Sequence, residues 1–398
     1  MADSVSVPGF RFGAVAAGIK KRAGELDLAL ATMDAPGAAA GTFTQNAVRA
    51  APVELCVERL KKGRARAVLV NAGCANACTG REGLADAKAM TAAAAAHLEG
   101  KPEDLLVCST GVIGLRLPMD KIDAALPSLV AALSHDGLAD FARAIMTTDT
   151  VPKTARATVL VGRHRVTIAG ASKGAGMIAP NMATMLGYVF TDAAIAPRFL
   201  RTMWRRVVEE SFNAITIDGD TSTNDSAIVM ASGVAGNKVL SGPSSTGARA
   251  FEAALREVAG SLAEQIVRDG EGATKVITLH VKGAATDAEA KRIARRMAES
   301  PLVKTAFYGA DPNWGRLACA IGNASSRVRA QDIAIRMGDV RFVERGQEVP
   351  GAERDARAVM QTKRWDVHVQ VGRGAGRARM VTCDFTEKYI EINAHYRS

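Results

Sequence analysis

Apolar positions in residues 196–211 recur at helical spacing: Phe199, Leu200, Met203, Val207 and Val208 fall on one stripe, with basic and acidic residues between them. That period predicts an amphipathic helix. The same reading predicts helices over 83–99, where alanine dominates, and over 120–146, 247–268 and 285–299. Alternating or β-branched runs predict a hairpin pair of strands at 155–162 and 163–170, then strands at 185–191, 274–282, 332–337, 365–371, 377–384 and 386–393. Strands come in runs as well as between helices, which points to layered α+β architecture rather than a doubly wound sheet. No repeat or Pro/Ser linker divides the chain, and the glycine-dense breaks stand at 172–176 and 371–376.

The 398 residues suffice for one large domain or two ordinary ones. At that length roughly three-quarters of the unfolded surface is buried on folding, so no disulfide or metal staple is needed. Aromatics are scarce while Ala and Gly abound, which predicts thin, closely packed layers. The formal charge of +10 is spread along the chain, with short clusters at Lys20-Lys21-Arg22, Lys61-Lys62 and around Arg292, Arg295 and Arg296. No aromatic interleaving accompanies them, so they read as a solvated surface that steers small acidic substrates, not as a nucleic-acid site.

Six dispersed cysteines exclude a disulfide scaffold and read as buried reduced thiols. Cys74 and Cys78 lack a second Cys/His pair to complete a tetrahedral metal set. The acidic run of Asp218, Asp220, Asn224 and Asp225 lacks the calcium-loop pattern and reads as a polar loop. The six histidines show no ligand spacing, so no metal is expected. Neither a signal peptide nor an apolar run of about 20 residues is present, which predicts a soluble cytoplasmic protein without membrane partners.

Chemistry concentrates in Lys173-Gly174-Ala175-Gly176-Met177-Ile178-Ala179-Pro180-Asn181-Met182-Ala183-Thr184-Met185-Leu186-Gly187. One reading is a dinucleotide fingerprint, Gly174-x-Gly176-x-x-Ala179 with Asp192 downstream. That fingerprint needs a helix opening at the glycines, and Pro180 falls where the helix should continue. The other reading is a loop presenting Thr184 at the head of a strand. Threonine is a poor nucleophile without a base. Breaking the peptide bond before it would supply one, because a free α-amine has a pKa of about 8. Spacing alone does not separate this chemistry from an ordinary loop.

The Lys173–Leu186 stretch resembles the signature of the ornithine acetyltransferase family. Further similar motifs run in order along nearly the whole chain: Asn71-Ala-Gly-Cys-Ala-Asn-Ala77, Ser109-Thr-Gly-Val-Ile-Gly114, Met146-Thr-Thr-Asp-Thr150, Ile217-Asp-Gly-Asp-Thr-Ser-Thr-Asn-Asp225, Glu271-Gly-Ala-Thr-Lys275 and Gly309-Ala-Asp-Pro-Asn-Trp-Gly-Arg316. The resemblance implies self-cleavage at Ala183–Thr184, giving an α chain of 1–183 and a β chain of 184–398 in one interwoven body. The implied fold is a layered αββα sandwich, and the implied assembly a heterotetramer of two α and two β chains.

The resemblance also implies the reaction. Thr184 accepts acetyl from N-acetylornithine and passes it to glutamate, without a cofactor; acetyl-CoA as a second donor is left open. Thr110 and Gly111 match an oxyanion-stabilising pair, although Thr-Gly is also a common turn. Thr147 and Lys173 match substrate-binding positions, Glu271 a contact for the ornithine ammonium, and Asn393 and Ser398 further substrate contacts. The family often ends in threonine, so Ser398 keeps the hydroxyl and loses a methyl. A related self-processing group of aminopeptidases carries serine at the nucleophile position, where this chain has Thr184.

Overall fold

The computed structural model describes residues 6–179 and 185–394. Its strands in chain order are β1 (Phe10–Val15), β2 (Leu28–Phe43), β3 (Arg64–Cys74), β4 (Leu105–Val112), β5 (Lys153–Val161), β6 (His164–Lys173), β7 (Leu186–Thr191), β8 (Ile215–Thr216), β9 (Ser226–Ala231), β10 (Val276–Ala284), β11 (Ala334–Met337), β12 (Val340–Glu344), β13 (Gln347–Glu348), β14 (Arg364–Gln370) and β15 (Gly376–Cys383). The helices are α1 (Ala51–Arg59), α2 (Gly80–His97), α3 (Met119–Ala131), α4 (Leu138–Ala144), α5 (Pro197–Glu210), α6 (Ala248–Arg268), α7 (Asp287–Glu299), α8 (Pro301–Tyr308), α9 (Trp314–Ala324), α10 (Glu353–Met360) and α11 (Glu387–Ala394). Two mixed sheets with helices make this an α+β protein, as the order of elements predicts.

The chain forms two compact units. The first comprises Met1–Asn213 and Asp220–Ile266, the second Ala214–Gly219 and Val267–Ser398. In the first, an eight-stranded sheet runs β4-β3-β2-β9-β7-β6-β5, with β1 paired to β2. Leu28, Leu30, Leu69 and Val107 pack on Ala87 and Met90 of α2 and Ile122 and Leu126 of α3. A second core holds Phe10, Phe12, Tyr188 and Phe190 of the strands with Phe141 of α4. Its rings meet edge-on or stacked at centroid distances of 5.0 to 6.5 Å. Burying each such ring contributes roughly 1.5–3 kcal/mol before entropy is counted.

The order of pairing has a topological result. Strand β7, which begins two residues after position 184, is antiparallel to β6 and parallel to β9, and β9 pairs with β2. The pair β9-β7, from after the 183–184 bond, is therefore inserted between β2 and β6, both from before it, within one sheet. In the second unit a seven-stranded sheet runs β13-β12-β11-β14-β10-β15-β8. Its core joins Ile277, Leu279, Val281 and Val367 to Ile293 and Met297 of α7 and Leu317 and Ile321 of α9.

Three expectations are corrected. Residues 386–393 form helix α11, not a strand. The helix expected over 120–146 is two helices, because Ser134 exchanges backbone hydrogen bonds with Phe12 at 2.8 and 2.9 Å and breaks the run. Not all the thiols are buried, since Cys78 and Cys319 are exposed; all six cysteines are free. The hairpin of β5 and β6 is found, turning through Gly162 at φ +64°.

Candidate active site

Thr110 and Gly111 lie near the C-terminal end of β4, in parallel register with Ala72 and Gly73 of β3. Gly111 has φ +131°, and a Cβ there would stand 2.3 Å from the carbonyl carbon of Gly73, so only glycine fits. Buried amides lock these strand ends. Asn71 donates to Cys74 O at 2.8 Å and accepts from Ser109 Oγ at 2.7 Å. Asn224 Nδ2 donates to Ala75 O at 2.6 Å and to Ser109 O at 2.9 Å.

Lys173 ends β6 and is 4% exposed. Its Nζ donates to Thr147 Oγ1 at 2.7 Å and to Thr110 Oγ1 at 3.4 Å. Three of the expected site residues thus converge on one ammonium, from three separate stretches of sequence. Beneath them lies a residue that had appeared only inside a motif. Asp149 Oδ1 accepts from Lys153 Nζ at 2.7 Å and from the Gly174 amide at 2.6 Å, while Oδ2 accepts from the Thr147 amide at 3.0 Å. Lys173 Nζ stands 3.9 Å from Oδ2. Burial alone would push the Asp149 carboxyl up, but the charges of Lys173 and Lys153 and these hydrogen bonds bring it down to about 2. It is therefore a carboxylate that holds the backbone at Thr147 and just after Lys173.

Lys20, counted in the sequence only as part of a basic cluster, also belongs to this neighbourhood. Its Nζ donates to Leu26 O at 2.8 Å. Burial pulls its ammonium below the usual lysine range, against the charges of Glu25, Asp27 and Asp149. The acidic run likewise has a role unlike metal binding at its end: Asp225 is 1% exposed, and its Oδ1 accepts the Met185 amide at 2.8 Å. Burial pushes the Asp225 carboxyl well above the usual carboxylate range.

In the second unit Asn393 Nδ2 donates to Glu271 Oε2 at 2.8 Å and to Tyr389 O at 3.0 Å. Helix α11 thus carries Asn393 to Glu271, two expected site residues 122 positions apart. Ala183, Thr184 and Ser398 lie outside the described residues.

The histidines show no ligand spacing in the sequence, yet the register of β10 and β14 stacks His280 on His368 at 4.6 Å, with Asp366 Oδ2 3.6 Å from His280 Nε2. Arg379 and Arg336 are the register partners of His280 and His368 across the neighbouring strands, which makes this row cationic. A cleft of about 540 Å³ in the first unit is lined by Phe43, Thr44, Arg49, Lys61, Arg201 and Arg205 among others. None of Thr110, Thr147 or Lys173 lines it; the candidate site is the buried hydroxyl–ammonium cluster in which these three meet.

Comparison with known proteins follows the same pattern along the chain. Residues 11–398 match the model of the ArgJ family. The arginine biosynthesis bifunctional protein ArgJ of Geobacter sulfurreducens is 51% identical, covering 99% of this chain and 100% of its own. That of Symbiobacterium thermophilum is 46% identical over 100% and 99%. Among solved structures, ArgJ from Bacillus halodurans is 42% identical with a TM-score of 0.51, covering 53% of this chain and 99% of that one.

Proposed function

Because this chain belongs to the ArgJ family, we propose that it moves an acetyl group from N-acetylornithine to glutamate through an ester on Thr184, for arginine biosynthesis. The observation that carries the reading is the convergence of Thr110 Oγ1 and Thr147 Oγ1 on the ammonium of Lys173, whose register partner across β6 and β7 is Leu186. The route begins with self-cleavage at Ala183–Thr184, into fragments 1–183 and 184–398. The solved B. halodurans chain, matched over nearly all its length by about half of this one, supports such a division.

The freed α-amine of Thr184 takes the proton from its own Oγ, which attacks the acetyl carbonyl. Charge develops on the carbonyl oxygen, where the Thr110 hydroxyl and the Gly111 N–H are assigned to receive it. The C–N bond breaks, the proton passes to the departing nitrogen, and ornithine leaves. The amine of glutamate then attacks the ester carbonyl, Oγ recovers its proton, and N-acetylglutamate departs. Lys173 and Thr147 are assigned to carboxylates of the substrates. Glu271, held by Asn393, is assigned to the ornithine ammonium, and Ser398 to a further contact.

No cofactor enters this route. The relatives are named bifunctional, which supports a second activity, and acetyl-CoA as a further acetyl donor is our assignment for it. A heterotetramer of two of each fragment and a cytoplasmic location complete the reading; no helix among the described residues is long and apolar enough to cross a membrane. Denaturing mass spectrometry of wild type beside Thr184→Ala, with an assay for acetyl transfer to glutamate, tests it. Two fragments from the wild type, an intact mutant and N-acetylglutamate as product are expected. An uncut wild type, or acetate released to water in place of transfer, would overturn it.

A further inference from the structure

Met185 is held by both of its backbone groups. Its N–H donates to Asp225 Oδ1 at 2.8 Å, and its C=O accepts the Ser226 amide at 3.1 Å. The N–H of Met185 is half of the peptide group whose carbonyl belongs to Thr184. Asp225 thus grips the residue next to the assigned nucleophile through a peptide plane that has no free rotation of its own.

The preceding residue reaches the other reacting element. Asn224 Nδ2 binds Ser109 O at 2.9 Å, immediately before Thr110. The Asp225 carbonyl is tied to the Thr44 amide at 3.1 Å, so this dipeptide is itself anchored to the end of β2. Two consecutive side chains therefore fix the oxyanion side and the nucleophile side of the site against one another. Asp225 Oδ2 is buried too, with no hydrogen bond of its own within ordinary distance among the described residues and the Thr44 hydroxyl as a polar neighbour of the carboxyl.

We propose that Asp225 is a positioning residue for Thr184, setting its peptide plane for self-cleavage and acetyl transfer while Asn224 sets the Thr110 side. This rests on Thr184 being the nucleophile. Asp225 acts through the acceptor oxygen Oδ1 that holds the Met185 N–H; burial raises its carboxyl above the usual carboxylate range. Asparagine keeps that acceptor at the same place; alanine removes it.

The test is the rate of self-cleavage in full-length chains, followed by mass spectrometry across pH, for wild type, Asp225→Ala and Asp225→Asn, with circular dichroism as the check of folding. Folded Asp225→Ala should cleave about 100-fold more slowly, the scale of a misplaced reacting group. Asp225→Asn should stay within about tenfold of wild type and keep the shape of its pH profile. If Asp225→Ala does not fold, the Asn profile decides: a missing limb would show that the carboxyl itself transfers the proton, and would overturn positioning. Wild-type cleavage in folded Asp225→Ala would overturn it too, as would an Asn variant as slow as Ala. An uncut wild type removes the Thr184 reading beneath the inference, and is told apart because every variant is then uncut as well.

Discussion

The Lys173 ammonium donates a hydrogen bond to the Thr147 hydroxyl at 2.7 Å, inside a site where its side chain is nearly closed to solvent. A buried ammonium that holds two hydroxyls beside the Asp149 carboxylate can meet an anionic ligand, since each hydroxyl can turn to a new acceptor. Lys173→Met keeps the stem and removes the charge. It should lower kcat/KM for glutamate by about 100-fold, roughly 2.7 kcal/mol. Lys173→Arg should not restore it, because the planar fork does not fit a place built around a compact charge. Steady-state kinetics with each substrate varied in turn would show this.

Removing the Thr110 hydroxyl separates chemistry from binding. Thr110→Val keeps the shape and loses the donor, so kcat should fall by about 100-fold or more with KM little changed. Gly111→Ala is a different experiment: its methyl group meets the Gly73 backbone at 2.3 Å. Thermal unfolding should show a large loss of stability or no soluble fold.

The pair of Asp149 and Lys153 predicts a specific acid response. Both side chains are 0% exposed. Asp149 titrates at about 2 when folded, below about 3.9 when unfolded, so its contribution is fully present above the unfolded value and is lost as pH falls from about 4 towards 2. Asp149→Asn leaves the Lys153 ammonium buried without its carboxylate and should cost about 3–5 kcal/mol near neutral pH. In denaturant titrations from pH 7 to pH 2, the gap between wild type and mutant should narrow below about pH 4. A constant gap would refute the assignment.

Glu271→Gln tests the charge at the second unit's cluster. Glutamine keeps an acceptor for Asn393 Nδ2, so α11 should stay docked on Glu271's loop. If the carboxylate meets the ornithine ammonium, KM for N-acetylornithine should rise about tenfold or more while KM for glutamate moves far less. Equal changes for both substrates would argue for a structural role.

Elements with one buried face were readable from the chain. Helix α5 shows its stripe of Phe199, Leu200, Met203, Val207 and Val208, all buried, and β5 alternates along its length. Strands β2, β3 and β4 escaped because runs of them are buried at consecutive positions, which leaves no alternation, and β2 is in addition built largely from Ala, Gly and Leu, without a β-forming bias. Helix α11 was misread because Tyr389, Ile390 and Ile392 favour strands, while its docking through Asn393 on Glu271 is tertiary; the Phe385–Tyr389 ring contact at 4.5 Å is local, at helical spacing. Within the site, motif resemblance gave Thr110, Gly111, Thr147, Lys173, Glu271 and Asn393. Lys20 and the working parts of Asp149, Lys153 and Asp225 came only from burial and distance, since an acid or a lysine reads as solvated until the fold closes over it.

Strand β7 is buried at all its positions, with β6 on one side and β9 on the other. While the chain is whole, that ladder closes as a unimolecular event. Once the bond at 183–184 is cut, the same hydrogen bonds join two polypeptides, and reassembly from the unfolded state becomes bimolecular and sensitive to dilution. The mature enzyme would then persist because opening the sheet is slow, not because refolding is easy. Its heat tolerance becomes a lifetime rather than an equilibrium, set by how long β7 stays between its neighbours.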